Sequence, residues 1–201
     1  FYTESGVDGY WERFYVDILK NTQEIIDNYS DDPEYSNRVH IAKIWKSYVY
    51  SIVASTFGPV PFSDALGSET TTTYSSEEEI YTSILTMLKE AGQGINPSGD
   101  KLAQDPMFNG DNAMWIKFAN TLRLEIALMI SEGFPTLAQQ HGSEVMANES
   151  GLISSNSENQ NFEYRIFQYS PRFRLLRHYC DKVGNYFSQA KRLGIEVTIF
   201  A

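Results

Sequence analysis

Apolar residues return along the first 150 positions with the spacing of one helix face, in five successive blocks. Trp11, Phe14, Tyr15, Ile18, Thr22, Ile25, Ile26 and Tyr29 keep the three-and-four rhythm of a helix that starts near Asp8, a residue able to cap it. Asp31-Asp32-Pro33 closes that helix and opens the next: Asp32 can cap, and Pro33 suits the first helical position, where no N–H is needed. The second helix runs to about Thr56 on the stripe Ile41, Ile44, Trp45, Tyr48, Val49, Ile52 and Val53. Gly58 can then take the left-handed conformation of a helix end, while Pro59 and Pro61 forbid continuation. The stretch from there to Ser75, with its threonine run at 70–73, reads as a polar surface loop.

The third helix starts at Ser76, where Glu79 completes the spacing of a capping box and Glu77 and Glu78 favour the positive end of the dipole. Its stripe is Ile80, Ile84, Met87, Leu88 and Ala91, and Gly92, Gly94, Pro97 and Gly99 break it. Asp111 caps a fourth helix, from Asn112 to about Ser131, that is apolar around much of its circumference and is therefore expected at the centre. A fifth begins at Pro135 in spite of Gly142. Ser150 to Asn161 reads as a loop, Phe162 to Phe167 as a short strand, and Phe173 to Leu193 as a weakly patterned helix. The pattern predicts an all-α fold of helical hairpins, consistent with a tetratricopeptide-like array, although no internal repeat is cleanly spelled.

Charge changes this picture in one place. Residues 161–201 hold seven basic and three acidic residues, a net of +4, so the first 160 carry -14 of the chain's -10. That break sets 164–201 apart from 1–163 as an irregular tail. The acidic balance excludes a nucleic-acid partner, which needs clustered Lys and Arg to displace counterions. No apolar run is long enough to span a bilayer, and no signal-peptide pattern opens the chain, which reads as soluble and as lacking its native start.

Candidate chemistry is sparse. The carboxylates fall mainly at caps and on solvated faces, which argues against a glycosidase pair. His40, His141 and His178 lack metal-ligand spacing, and Cys180 has only His178 near it in sequence, on a different helical face. No cofactor, metal or catalytic residue is expected. Arg123, set among Leu122, Leu124 and Ile126, reads as a structural charge matched by a carboxylate or a helix-end carbonyl. Sugar rings pack their C–H faces on flat aromatic surfaces, so aromatics off the core stripes are the candidates for ligand contact. These are Tyr2, before the first helix, and Tyr74, in the polar loop; Trp11, Trp45 and Trp115 read as packing residues.

Four segments, in order, resemble the SusD/RagB-like family. They are Trp11 to Asn21; Ala42 to Leu66, with an aromatic helix running into Phe57-Gly58-Pro59-Val60-Pro61-Phe62; Ser76 to Leu85; and Trp115 to Leu124, the most specific, with Asn120 and Arg123. Gly151 to Asn156 adds a fifth match. Pro59 stands where the family usually has Asp, and Glu125 where it often has a second Arg. In this resemblance Trp11, Trp45, Gly58, Pro61, Trp115, Asn120 and Arg123 are structural. It implies a non-enzymatic protein, lipid-anchored to the bacterial outer membrane through an N-terminal cysteine that this sequence does not contain. It also implies delivery of oligosaccharides or peptides to a SusC-like TonB-dependent transporter, and a C-terminal half not present here. The alternative reading is a helical-repeat scaffold that binds only protein.

Overall fold

The first helix is wound in two ways. Residues Glu12–Leu19 form a π-helix that passes without interruption into α1, Lys20–Tyr29. The winding differs from the ordinary helical period expected of this stretch: the Lys20 N–H donates to the carbonyl of Tyr15, five residues back. At its start Trp11 and Tyr15 stack near-parallel at 5.0 Å. The computed structural model describes residues 9–67, 72–155 and 158. Asp8, Tyr2, Asn156, Cys180, His178, the expected strand over 162–167, the expected helix over 173–193 and the basic tail lie outside them.

Asp32 caps the turn as the sequence predicts, accepting from the N–H of Glu34 at 3.0 Å, and a 3-10 turn, Pro33–Tyr35, leads into α2, Ser36–Phe57. Gly58 ends α2 with φ 77°, a backbone region closed to residues with a Cβ, and its N–H returns to the carbonyl of Ala54 at 2.8 Å. The chain then makes a small antiparallel hairpin that the loop expectation did not contain. β1, Val60–Pro61, pairs with β2, Tyr74–Ser75, in the register Val60 to Ser75 and Pro61 to Tyr74. Two residues per strand are too few to show a period of two, and Pro61 can sit only at such an edge.

α3, Glu77–Gly94, is capped by Ser76, which accepts from the Glu79 N–H at 3.2 Å. The return half of the capping box is displaced by one residue: Glu79 accepts from the hydroxyl of Ser75 at 3.0 Å, which ties the helix to β2. α4, Asn112–Met129, is capped by Asp111 through the N–H groups of Ala113 and Met114. α5, Pro135–Met146, runs through Gly142, where a Cβ would meet nothing within 4 Å.

Each helix packs on its sequence neighbour, the first on α2, α2 on α3, α3 on α4 and α4 on α5, and α2 also reaches α4. The result is the stacked all-α hairpin array that the periodicity predicts. α2 shares the centre with α4, because it is flanked on three sides. Leu19, Ile44, Tyr50, Val53, Ile80, Ile84, Leu85, Leu88, Trp115, Leu122 and Ile126 are fully buried between the layers. Each contributes roughly 1.5–3 kcal/mol by leaving water. Beyond α5 the chain returns along α4: Asn120 Nδ2 donates to the carbonyl of Gly151 at 3.1 Å, and the Ile153 N–H donates to the Thr121 hydroxyl at 3.0 Å. Lys117 and Glu158 close this return as an ion pair.

Candidate functional site

The aromatic residues concentrate where the first helix begins, α2 ends and the hairpin turns. Trp11 stacks on Tyr15 and lies 5.2 Å from Phe57. Tyr15 meets Tyr50 edge-on at 6.2 Å, and Tyr50 meets Phe62 edge-on at 4.6 Å. The Tyr15 hydroxyl donates to the carbonyl of Pro61 at 2.7 Å, so the first helix is bolted to β1. Burial pushes the Tyr15 phenol far up, with nearby Tyr74 adding to the effect. Tyr50 is raised in the same way, mainly by burial and then by Tyr15. Both phenols therefore stay neutral; the Tyr15 hydroxyl is hydrogen-bonded, while that of Tyr50 is buried without a partner among the described residues.

The outer layer of this cluster faces water. Trp11, Tyr15, Phe57 and Phe62 are half-buried, and Tyr10 is exposed. Tyr74 is 68% exposed, the most open of the large apolar side chains among the described residues. It is not loose in a coil, because β2 fixes its backbone opposite Pro61. Asp64 also holds Thr73 beside it, through the Thr73 N–H at 3.2 Å and hydroxyl at 3.0 Å. An open ring on a pinned backbone, continuous with half-exposed indole and phenyl faces, can take the C–H face of a sugar with little ordering cost.

The residues read as structural divide between this surface and the core. Trp115 is buried, with its indole N–H donating to Asp105 at 2.8 Å and Phe108 edge-on at 4.9 Å. Asp105 also accepts from the N–H groups of Met107 and Gly110, at 2.8 and 3.2 Å, and so folds the loop between α3 and α4 over the indole. Trp45 is half-buried against Tyr48 and Trp115. Trp11, placed on a core stripe by periodicity, lies at the rim of the aromatic surface. Gly58 and Pro61 shape the turn beneath it, and Asn120 holds the returning segment described above.

Arg123 is 3% exposed and is matched by two groups on α5: its Nε donates to His141 Nδ1 at 2.8 Å, and its guanidinium pairs with Glu144. Lys89 from α3 reaches the same carboxylate at 2.9 Å. Hydrogen bonds from Lys89 and Arg123 lower the Glu144 carboxyl to about 2. Burial, reinforced by the Arg123 charge, lowers His141 to about 4, so the imidazole is neutral and offers its lone pair to the guanidinium. This network locks three helices together.

Sequence reasoning brought Tyr74 to this site and missed Tyr10, Tyr15, Phe57 and Phe62. Phe57 and Phe62 bracket the Gly-Pro-Val-Pro turn, a signal that the segment carries apolar surface into an exposed bend. No group of three or more His, Cys, Asp and Glu residues able to hold a metal ion occurs among the described residues, and no helix there is long and apolar enough to cross a membrane.

The sequence model of SusD-like proteins, described as starch-binding and associating with the outer membrane, matches residues 2–185. Among solved structures, a chitin-binding protein superposes with a TM-score of 0.72 at 34% identity, over 79% of this chain and 34% of that one. A SusD homologue from Parabacteroides distasonis gives 0.72 at 27% identity, over 79% and 32%. A chitin-binding SusD homologue from Flavobacterium johnsoniae gives 0.67 at 26% identity, over 74% and 32%. The chain thus spans about a third of the length of the solved structures it matches. No curated protein matches it. On the match over most of its length, this chain belongs to the SusD-like family.

Proposed function

We propose that the chain belongs to an oligosaccharide-binding protein of the bacterial outer membrane that holds its ligand for a TonB-dependent transporter and performs no catalysis. The observation that carries this reading is the pinned, open ring of Tyr74 at the edge of a half-exposed aromatic surface. Membership of a family described as starch-binding, and likeness to two chitin-binding structures, favour a glycan over a peptide as the ligand. Lipid anchoring and a SusC-like partner belong to the same proposal, resting on family resemblance.

Two carboxylates committed to structure support a binding role. Asp105 is engaged by an indole and two backbone donors, and Glu144 by two cations. Calorimetric titration of the full chain with malto-oligosaccharides, chito-oligosaccharides and peptides tests the proposal. Saturable binding of a glycan, weakened about tenfold by Tyr74→Ala as expected for a lost aromatic contact, supports it. Hydrolysis of a bound glycan, or binding of peptides alone, overturns it.

A further inference from the structure

The turn joining the first helix to α2 carries a second cluster of exposed aromatic and polar groups. It lies at the other end of α2 from Tyr74, about 30 Å away by the rise of the helix. Tyr29, the last residue of α1, is 42% exposed and packs at 4.9 Å on Tyr35. The Arg38 guanidinium lies 4.6 Å over the Tyr35 ring, and its side chain is 40% exposed. Two rings and a planar cation thus form a continuous ladder along one turn, half in water.

The ladder is backed by a rigid polar wall. Asp100 is fixed by the Asn37 N–H, which donates to its carboxylate at 2.9 Å. The side-chain amides of Asn37 and Asn112 donate to its carbonyl at 2.9 and 3.0 Å. The ion pair from Arg38 Nε to Asp100 Oδ2 spans 3.5 Å and is too long for a good hydrogen bond. Arg38 Nε, Asp100 Oδ2, His40 Nδ1 and Asn112 Oδ1 are four of the five buried side-chain atoms without a hydrogen-bond partner among the described residues. Buried polar groups are normally satisfied. These four atoms are sealed from solvent and form the polar wall behind the ladder, so what a ligand can reach is the exposed part of the Arg38 side chain beside the two rings.

We infer that Tyr29, Tyr35 and Arg38, backed by Asp100, form a second contact site for a neutral oligosaccharide, with a pyranose face on the tyrosines and ring hydroxyls at the exposed part of the Arg38 guanidinium. The inference rests on the proposed function above and extends it to a surface separate from Tyr74. Neutral chemistry follows from the surroundings: Asp27, Asp31, Asp32 and Glu34 crowd this turn and repel an anionic sugar. Arg38 is already paired, so it offers N–H donors more than uncompensated charge. A fixed fork and a packed ring pair cost little to order on binding.

The test is calorimetric titration of the full chain with long malto- and chito-oligosaccharides, comparing Tyr29→Ala, Arg38→Ala, Arg38→Lys, Tyr74→Ala and the Tyr29→Ala/Tyr74→Ala pair. Tyr29→Ala is expected to weaken binding five- to tenfold and the pair to abolish it. Arg38→Lys, which keeps the charge and loses the planar fork, is expected to bind as weakly as Arg38→Ala. Tyr29 is exposed, so its truncation spares the core and decides the matter if Arg38→Ala fails to fold. Unchanged affinity and stoichiometry in Tyr29→Ala, with binding weakened in Tyr74→Ala, overturns the second site and leaves the first intact. No binding of any neutral oligosaccharide by the unaltered chain overturns both.

Discussion

The two ends of the aromatic population behave oppositely. Around Trp115 the polar contacts are made within the fold: the indole has Asp105, and that carboxylate also holds two backbone N–H groups. Around Trp11 and Tyr74 the outer rings stand partly in water above the buried Tyr50, and the Tyr15 hydroxyl is bolted to Pro61. Satisfied and buried aromatics stabilise; pinned and open ones are available to something else. The difference teaches that residue type alone does not separate packing from binding, because both regions are built from Trp, Tyr and Phe at helical spacing.

The contrast breaks most severely at Trp115. Trp115→Ala is expected to cost about 4 kcal/mol in urea unfolding, from the cavity and from the stranded Asp105 carboxylate. Arg123→Ala should follow at about 3 kcal/mol, since it leaves Glu144 to Lys89 alone and removes the donor to His141. A melting curve indistinguishable from that of the unaltered chain would contradict this role for Arg123.

Acid probes the same junction without mutation. The folded His141, at about 4, lies below its ordinary 6.5, so the native state binds fewer protons than the unfolded chain in that interval. Its contribution is therefore complete above pH 6.5 and is lost as pH falls toward 4. By linkage its size is up to about 3 kcal/mol. Glu144, lowered to about 2 from 4.5, adds a second loss that begins below pH 4.5. Stability measured from pH 7.5 to 4.5 should fall, and His141→Gln should flatten the upper part of that slope.

Smaller effects sharpen the other region. Gly58→Ala should destabilise by about 2 kcal/mol, because φ 77° is strained for any residue with a Cβ. It should also disturb glycan binding by tilting the hairpin. Tyr74→Ala should change the urea midpoint negligibly, within about 0.5 kcal/mol, while glycan affinity falls. A Tyr74 variant that melts well below the unaltered chain would place this ring with Trp115 and erase the distinction.

Much of this architecture is legible in the chain. Ser76 and Asp111 mark helix starts to within a residue, and Asp32-Pro33 marks the 3-10 turn that leads into α2, because capping is local chemistry that needs no tertiary partner. The stripes Ile41 to Val53 and Ile80 to Ala91 announce which faces are buried. The π-helical winding was not legible, since five-residue hydrogen bonding in Glu12–Leu19 leaves the three-and-four rhythm of its apolar residues readable as an ordinary helix. The hairpin was hidden by its brevity. Arg123 announced a buried charge but not His141 as its partner, because eighteen positions separate them in sequence and only the docking of α5 on α4 unites them.

By itself the sequence determined the helices, their order, the faces they bury and, through ordered motifs, the family. Caps, stripes and turns act over a few residues, and no folded context is needed to read them. Only the tertiary structure decided which aromatics stay open, and which polar atoms near Asp100 are left without partners. Exposure is a property of what packs from elsewhere in the chain, and the sequence near a residue does not contain it.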